Sequence, residues 1–230
     1  MKQFAVIGLG KFGIKVALTL SEKGEQVLVV DEDIRKVEEI KDLVSQAVCL
    51  DSTDEDAMRA AGLEDVDAAI VGAGENLEHS ILTTAILKKL GVPHIVARAS
   101  SDLHAQILER VGATRIINVE EQMGEQVARG IIAPAIQEQF ALATGHSLAE
   151  VVPRPELIGQ TIGKINFRQT YGVNIIAIQK RVPMVTPEGT NAFRTEINDL
   201  PKPTDVIEED DVLVVVGSDE NIERLARGEG

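Results

Sequence analysis

Three glycines within six residues, Gly8-Leu9-Gly10-Lys11-Phe12-Gly13, separate an apolar run, Phe4 to Gly8, from an amphipathic stretch, Phe12 to Lys23. Nothing else in the chain restricts the fold as tightly. In a strand–turn–helix, Gly8 allows the tight turn, Gly10 removes a side chain where a ligand phosphate must approach the backbone, and Gly13 lets helix and strand pack closely. The free amides and positive end of the helix, with Phe12 in its first turn, then face the phosphates. Glycine spacing alone is weak evidence. Here the preceding strand, the following helix and Asp31 support it, because an acidic residue at the end of the second strand can accept hydrogen bonds from a ribose diol. The competing reading is a glycine turn in an ordinary sheet.

From Phe4 to about Asn118 short β-branched runs alternate with amphipathic stretches, the pattern of successive βα units in a parallel sheet. The strands are expected at Phe4 to Gly8, Gln26 to Asp31, Ala47 to Leu50, Ala68 to Gly72, His94 to Arg98 and Arg115 to Val119. Helices are expected from Phe12 to Lys23, from Asp33 to Val44, and from Asp54 to Ala61 with Thr53 as the cap. From Glu120 to Leu142, Met123, Val127, Ile131, Ile132, Ile136 and Phe140 recur at helical spacing, interrupted by Pro134. This predicts two angled helices, or one kinked helix, with an apolar stripe buried by a second subunit. The remaining residues suggest a compact module with strands at Ala149 to Val152, Asn174 to Gln179 and Val212 to Gly217. Helices around Ile162 to Gln169 and Glu220 to Ala226 complete it, and Pro183 to Pro203 is expected to be a mobile loop. The fold class is therefore α/β, a Rossmann-like doubly wound parallel sheet with crossover helices and a smaller α+β C-terminal domain. Its expected divisions are residues 1–119, 120–144 and 145–230.

The chain has 23 basic and 37 acidic residues, a net charge of −14. The acidity is shared: residues 1–144 hold 14 basic and 23 acidic residues, and residues 145–230 hold 9 and 14. Such a surface repels phosphate backbones and anionic lipid, which argues against nucleic acid as a partner. The single cysteine, Cys49, cannot form an internal disulfide and reads as a buried strand residue in a reducing compartment. No signal-peptide pattern or run of membrane length is visible, so a soluble cytoplasmic chain is expected.

Asp31 disfavours a 2′-phosphate and leaves NAD, ATP, ADP and AMP open. Lys11 offers a point charge to a terminal phosphate, which suits ATP or ADP, or is only a solvated turn residue. Asp51-Ser52-Thr53 lies at the same edge of the sheet, where it can read an adenine edge, cap a helix, or do both. Gly72-Ala73-Gly74 lets the backbone pass close to a ligand, and Arg98 meets either a phosphate or a surface carboxylate. The Gly159 to Lys164 segment is one residue too short between its glycines for a phosphate loop and lacks the Ser or Thr that binds metal. Single histidines and an isolated cysteine supply no nucleophile or metal cluster. Glu120, Glu121 and Glu125 start a helix, with divalent-cation binding as the minority reading.

These segments together resemble the cytoplasmic regulators of potassium transport of the KtrA/TrkA type, the RCK or KTN proteins. The resemblance is carried by KQFAVIGLGKFG, VVDED, LDSTDED, VGAGENLEHSILTTAILKKLG, GATRIINVEEQMG, LIGQTIGKINFRQTYGVNIIAI and DVIEEDDVLVVVGS. It implies a regulatory subunit, not an enzyme, peripheral on the inner face of the cell membrane through a membrane potassium transporter subunit. Homodimers would pair through the crossover helix and assemble into an octameric ring. Lys11 stands where many relatives have arginine, so bidentate phosphate binding is lost. Asp31, Glu32 and Asp33 match the ribose end of strand two, Asp51-Ser52-Thr53 the adenine segment, and Glu120 an acidic position near the phosphates at the dimer interface. In some relatives the C-terminal domain binds cyclic di-AMP between subunits, which would involve Ile165, Asn166, Arg168, Asn174 and Ile175. The rival readings are an NAD(H) sensor without a membrane partner, or an NAD-dependent oxidoreductase. The oxidoreductase needs an acid or base beside the nicotinamide, yet the second domain offers only His146 at its start, and Tyr171 has no lysine four residues on.

Overall fold

The computed structural model describes residues 2–72, 76–185 and 191–229. The chain divides into two compact units, Met1–Met123 and Gly124–Gly230.

The first unit runs β1 (Gln3–Ile7), α1 (Lys11–Glu22), β2 (Gln26–Asp31), α2 (Ile34–Ile40), β3 (Gln46–Cys49) and α3 (Glu55–Ala60). It continues with β4 (Ala68–Val71), α4 (Leu77–Leu90), β5 (His94–Arg98), α5 (Asp102–Val111) and β6 (Arg115–Ile117), then starts α6 (Val119–Ile132). The six strands pair in parallel in the order β3-β2-β1-β4-β5-β6. The order reverses between β1 and β4, and in open α/β sheets a crevice for ligands opens there, outside the carboxyl ends of the strands.

Strand alternation builds two cores. Ala5, Ile7, Leu28, Val30, Ala69 and Val71 face Met58 of α3, Leu87 of α4 and Leu108 of α5. Val6, Val27, Val29 and Ile70 face Ala17 of α1 and Val37 and Ile40 of α2. Sandwiched between helices, β1 and β2 need apolar residues on both faces, which is why they read as continuous aliphatic runs.

The second unit contains β7 (Ile136–Ala143), β8 (His146–Val151), α7 (Ile162–Ile165), α8 (Phe167–Thr170), β9 (Asn174–Val185), β10 (Asn191–Asn198), β11 (Val212–Ser218) and α9 (Asp219–Arg227). Its antiparallel sheet has the order β10-β9-β11-β8-β7. Ala149, Val151, Ile178, Leu213 and Val215 pack against Phe167, Tyr171, Ile222 and Leu225.

Four expectations are corrected. The second crossover helix within 120–144 is a strand: the last bond of α6 runs from the Ala133 amide to the Arg129 carbonyl, and Pro134 has no amide to continue it. Residues 136–143 instead pair with β8 across a turn at Gly145, whose φ is +67°. The expected loop from Pro183 to Pro203 is largely a β-ribbon, since Met184 pairs with Ala192 and Ile178 with Asn198; residues 186–190 of that segment lie outside the described residues. Beyond Gln179, β9 has no β11 partner, so its Pro183 sits at the sheet's border, where a strand tolerates proline. Asp54, not Thr53, caps α3, accepting the Ala57 amide at 3.1 Å. Cys49 is exposed, because β3 is a border strand that, among the described residues, pairs only with β2.

Candidate functional site

The turn after β1 shows which glycines the chain itself requires. Gly8 has φ +92°, where side chains are strained, and a Cβ on Gly13 would lie 2.0 Å from the Gly8 carbonyl oxygen. Gly10 is different. It is exposed, has φ −76°, and a Cβ there would have nothing within 4 Å. Neither backbone conformation nor packing within the chain calls for glycine at this position.

Gly10 also leaves α1 without a side-chain cap. The next four helices each have one: Asp33 accepts the Arg35 amide, Asp54 that of Ala57, Asn76 that of His79, and Ser101 that of His104. The first intrahelical bond of α1 is from Ile14 to the Gly10 carbonyl, so the amides of Lys11, Phe12 and Gly13 have no partner within the helix. They form a positive concavity at the crevice.

A cavity of about 390 Å³ opens there, lined by the carboxyl ends of β1, β2, β4 and β5. Of the expected residues, Gly8, Gly10, Asp31, Glu32, Ser52, Gly72 and Arg98 line it. Gly72 packs closely: a Cβ on it would meet the Gly8 carbonyl oxygen at 3.1 Å. Ala73 and Gly74 lie outside the described residues. Lys11 begins α1 with an exposed side chain that does not line the cavity, and the Phe12 side chain packs into the α1 core, leaving only its amide for the site.

Asp31 is buried and serves the turn directly. Its carboxylate accepts the Leu9 amide at 2.6 Å and the Asp33 amide at 2.9 Å, and the Lys36 ammonium lies 3.3 Å from both oxygens. A ribose hydroxyl reaches this carboxylate only by taking a place held by Lys36, since each oxygen already accepts twice. Asp33, matched by resemblance to a ribose position, caps α2 and pairs with Arg35 at 2.8 Å. The Arg35 guanidinium and amide hold its carboxyl down at about 2.

Asp51 accepts the Thr53 amide and hydroxyl at 2.8 and 2.7 Å and lies 3.2 Å from Nε2 of His79; these contacts hold its pKa below the ordinary aspartate value. Ser52 is buried, its hydroxyl 2.7 Å from that of Thr83 on α4, which fixes the β3–α3 corner against the cavity. Arg98 pairs with Glu120 at the start of α6, and that contact keeps the Glu120 carboxyl below its usual range. The Arg98 Nε is buried and has no partner among the described residues. Among the described residues, no three His, Cys, Asp or Glu side chains converge as a metal site.

Three polar lining residues are not among the expected ones: Lys36, Asn76 and His79. Lys36 lies in the first turn of α2, one turn beyond the cap Asp33, a position legible from the helix start. Asn76 carries the N-cap signature and places His79 three residues on, facing Asp51. In the second unit, Ile165 ends α7 and packs on the core, Asn166 links α7 to α8 at φ +51°, and Arg168 is exposed on α8. Asn174 and Ile175 open β9 opposite Val216 and Val215.

Residues 4–119 match the family model of the TrkA-N domain, and residues 147–227 that of the TrkA-C domain. The chain is 38% identical over 226 residues to "Ktr system potassium uptake protein C" of Bacillus subtilis, covering 98% of this chain and 96% of that protein. Among solved structures, the GsuK RCK domain superposes with a TM-score of 0.64 at 18% identity over 98% of this chain and 47% of that one, a likeness of fold. The NAD(P)-binding domain of an exopolyphosphatase-related protein from Archaeoglobus fulgidus superposes at 0.51 and 26% identity, over 57% of this chain and 98% of that one. No helix among the described residues is long and apolar enough to cross a membrane. With both halves matched in order and a relative aligned almost end to end, the chain belongs to the family of Ktr potassium uptake proteins built from a TrkA-N and a TrkA-C domain.

Proposed function

We propose that the chain is a cytoplasmic nucleotide-sensing subunit that gates a membrane potassium transporter, with ATP or ADP bound across the opening of α1. The observation that carries this reading is Gly10. It leaves open space over three helix amides that have no partner among the described residues, at a position where the chain's own folding needs no glycine. A cavity of about 390 Å³ lies within the range of about 300–1,000 Å³ usual for ligand sites. Arg98 and Lys36 line it and supply cations for phosphate, with Lys11 on the turn itself. Relatives named for potassium uptake support the transporter as partner. The similarity to an NAD(P)-binding domain keeps NAD or NADH as the second ligand reading.

ATP and ADP differ by one phosphate, so only contacts to that phosphate can bias two shapes of an assembly. Moving a population from 1:99 to 99:1 takes about 5.5 kcal/mol, roughly 0.7 kcal/mol per site over eight sites, less than one charge-assisted hydrogen bond. Met123, Val127 and Ile131, spaced along one stripe of α6, are all exposed, which supports a homodimer through that helix and an octameric ring. A cyclic di-AMP site would draw on Ile165, Asn166, Arg168, Asn174 and Ile175. A divalent cation at Glu120 would have to displace Arg98.

Calorimetric titration of the full chain with ATP, ADP and NADH tests the reading. Gly10→Val is expected to lose at least tenfold in affinity while its ligand-free melting midpoint stays unchanged. A chain that binds none of the three overturns it.

A further inference from the structure

We propose that two copies of this chain join through β10, strand against strand, antiparallel about a two-fold axis at Thr195. The proposal concerns the second sheet and is independent of the nucleotide reading. β10 forms one border of that sheet and, among the described residues, pairs only with β9. A border strand presents unpaired amides and carbonyls, which proteins ordinarily guard with charged side chains, prolines, bulges or a covering element.

The side chains of β10 are arranged to receive a copy of themselves. Counting outward from Thr195, Arg194 and Glu196 carry opposite charges, while Phe193 and Ile197 are both large and apolar. When Thr195 faces its own symmetry mate, Arg194 faces the second copy's Glu196, and Phe193 faces the second copy's Ile197. Symmetry repeats each pair. Because neighbouring side chains point to opposite faces, the charged pairs lie on one face and the apolar pairs on the other.

All four side chains are available. Phe193 is 58% and Ile197 64% exposed, and the side chains of Arg194 and Glu196 are 61% and 48% exposed. Arg194 and Glu196 also pair within one strand, which places both charges on the same face. The Arg181 guanidinium on β9 lies 4.8 Å from the centre of the Phe193 ring and holds that ring against the ribbon. Charge selects the register. Moving the axis by one residue sets Arg194 or Glu196 against itself, and parallel in-register pairing does both.

The test uses full-length protein carrying Cys49→Ser, which removes the single native thiol. Directly opposed residues of an antiparallel pair have Cα atoms about 4.5–5.5 Å apart, within disulfide reach. Thr195→Cys is expected to form a covalent dimer under mild oxidation at least tenfold faster than Leu200→Cys, an exposed position beyond the strand. Adding Glu196→Arg or Arg194→Glu to Thr195→Cys is expected to abolish that advantage. Mixing these two charge-reversed proteins, one carrying a mass tag, is expected to restore it between unlike chains, and combining both reversals in one chain restores it between like chains. Circular dichroism confirms that each variant is folded. Cross-linking no faster than at Leu200→Cys, cross-linking indifferent to the charge reversals, or capture only of a foreign protein overturns the proposal.

Discussion

At the residue scale, the second and third glycines of the motif, Gly10 and Gly13, predict opposite phenotypes. Gly13→Ala pushes a Cβ to 2.0 Å from the Gly8 carbonyl oxygen, and overpacking of this kind costs about 1–3 kcal/mol. Denaturant unfolding of the ligand-free protein should show a loss of that size. Gly10→Ala should stay within about 0.5 kcal/mol of the parent in the same assay, because its Cβ meets nothing. Lys11→Ala addresses discrimination: calorimetry should show ATP and ADP affinities converging while adenosine recognition survives. The glycine motif was readable because Gly8 answers to backbone geometry and Gly13 to close packing, while Gly10 leaves the space before the helix amides open. The full role of Asp31 was not: sequence spacing points to a ribose, whereas the folded chain uses the same carboxylate to hold the Leu9 amide. Lys36 and His79 could be placed in the first turns after the caps Asp33 and Asn76, but that those turns face the cavity depends on the orientation of α2 and α4, which sequence does not carry. The same spacing rules gave no sign that Cys49 would be exposed, because a strand's place at the border of a sheet is a property of strand order.

At the element scale, the helices of the first unit are legible from their ends. Ser101 accepts the His104 amide at the start of α5, and removing such a cap costs about 1 kcal/mol. Ser101→Ala should lower stability by that amount without changing nucleotide affinity. The α2 cap carries a pH signature. The folded pKa of Asp33 is depressed, so the contribution of its pairing with Arg35 is fully present above the ordinary value of 3.8 and is lost as pH falls towards about 2. The stability difference between the parent and Arg35→Ala, followed by thermal melts, should therefore be constant above pH 4 and shrink as the pH falls to 2. The element that sequence misassigned is β7. Its apolar residues continue the helical spacing of α6 past Pro134, and Phe140 and Leu142 are exposed, so the alternation that marks a half-buried strand is absent. Pairing with β8, a tertiary fact, decides the conformation. The ribbon of β9 and β10 was obscured in the same way, since prolines and glycines read as a loop until the strands are seen side by side.

At the scale of the whole molecule, the net charge of −14 and the absence of a membrane-length helix among the described residues set how the protein meets a membrane. It should not sediment with bare anionic vesicles, and should sediment only when the proposed transporter partner is present in the bilayer. Nucleotide at a hundredfold excess over Kd should stabilise the chain by about 2.7 kcal/mol, seen as a raised unfolding midpoint, and a tenfold loss of affinity in Gly10→Val should cut that gain to about 1.4 kcal/mol or less. The uncapped opening of α1 bears on how such a protein would register its surroundings. On the proposed reading, the phosphate common to purine nucleotides satisfies those amides, so in a cell rich in such compounds the berth is seldom vacant. A receptor of this construction reports which guest has replaced another, and its response follows the ratio of the guests more than their sum.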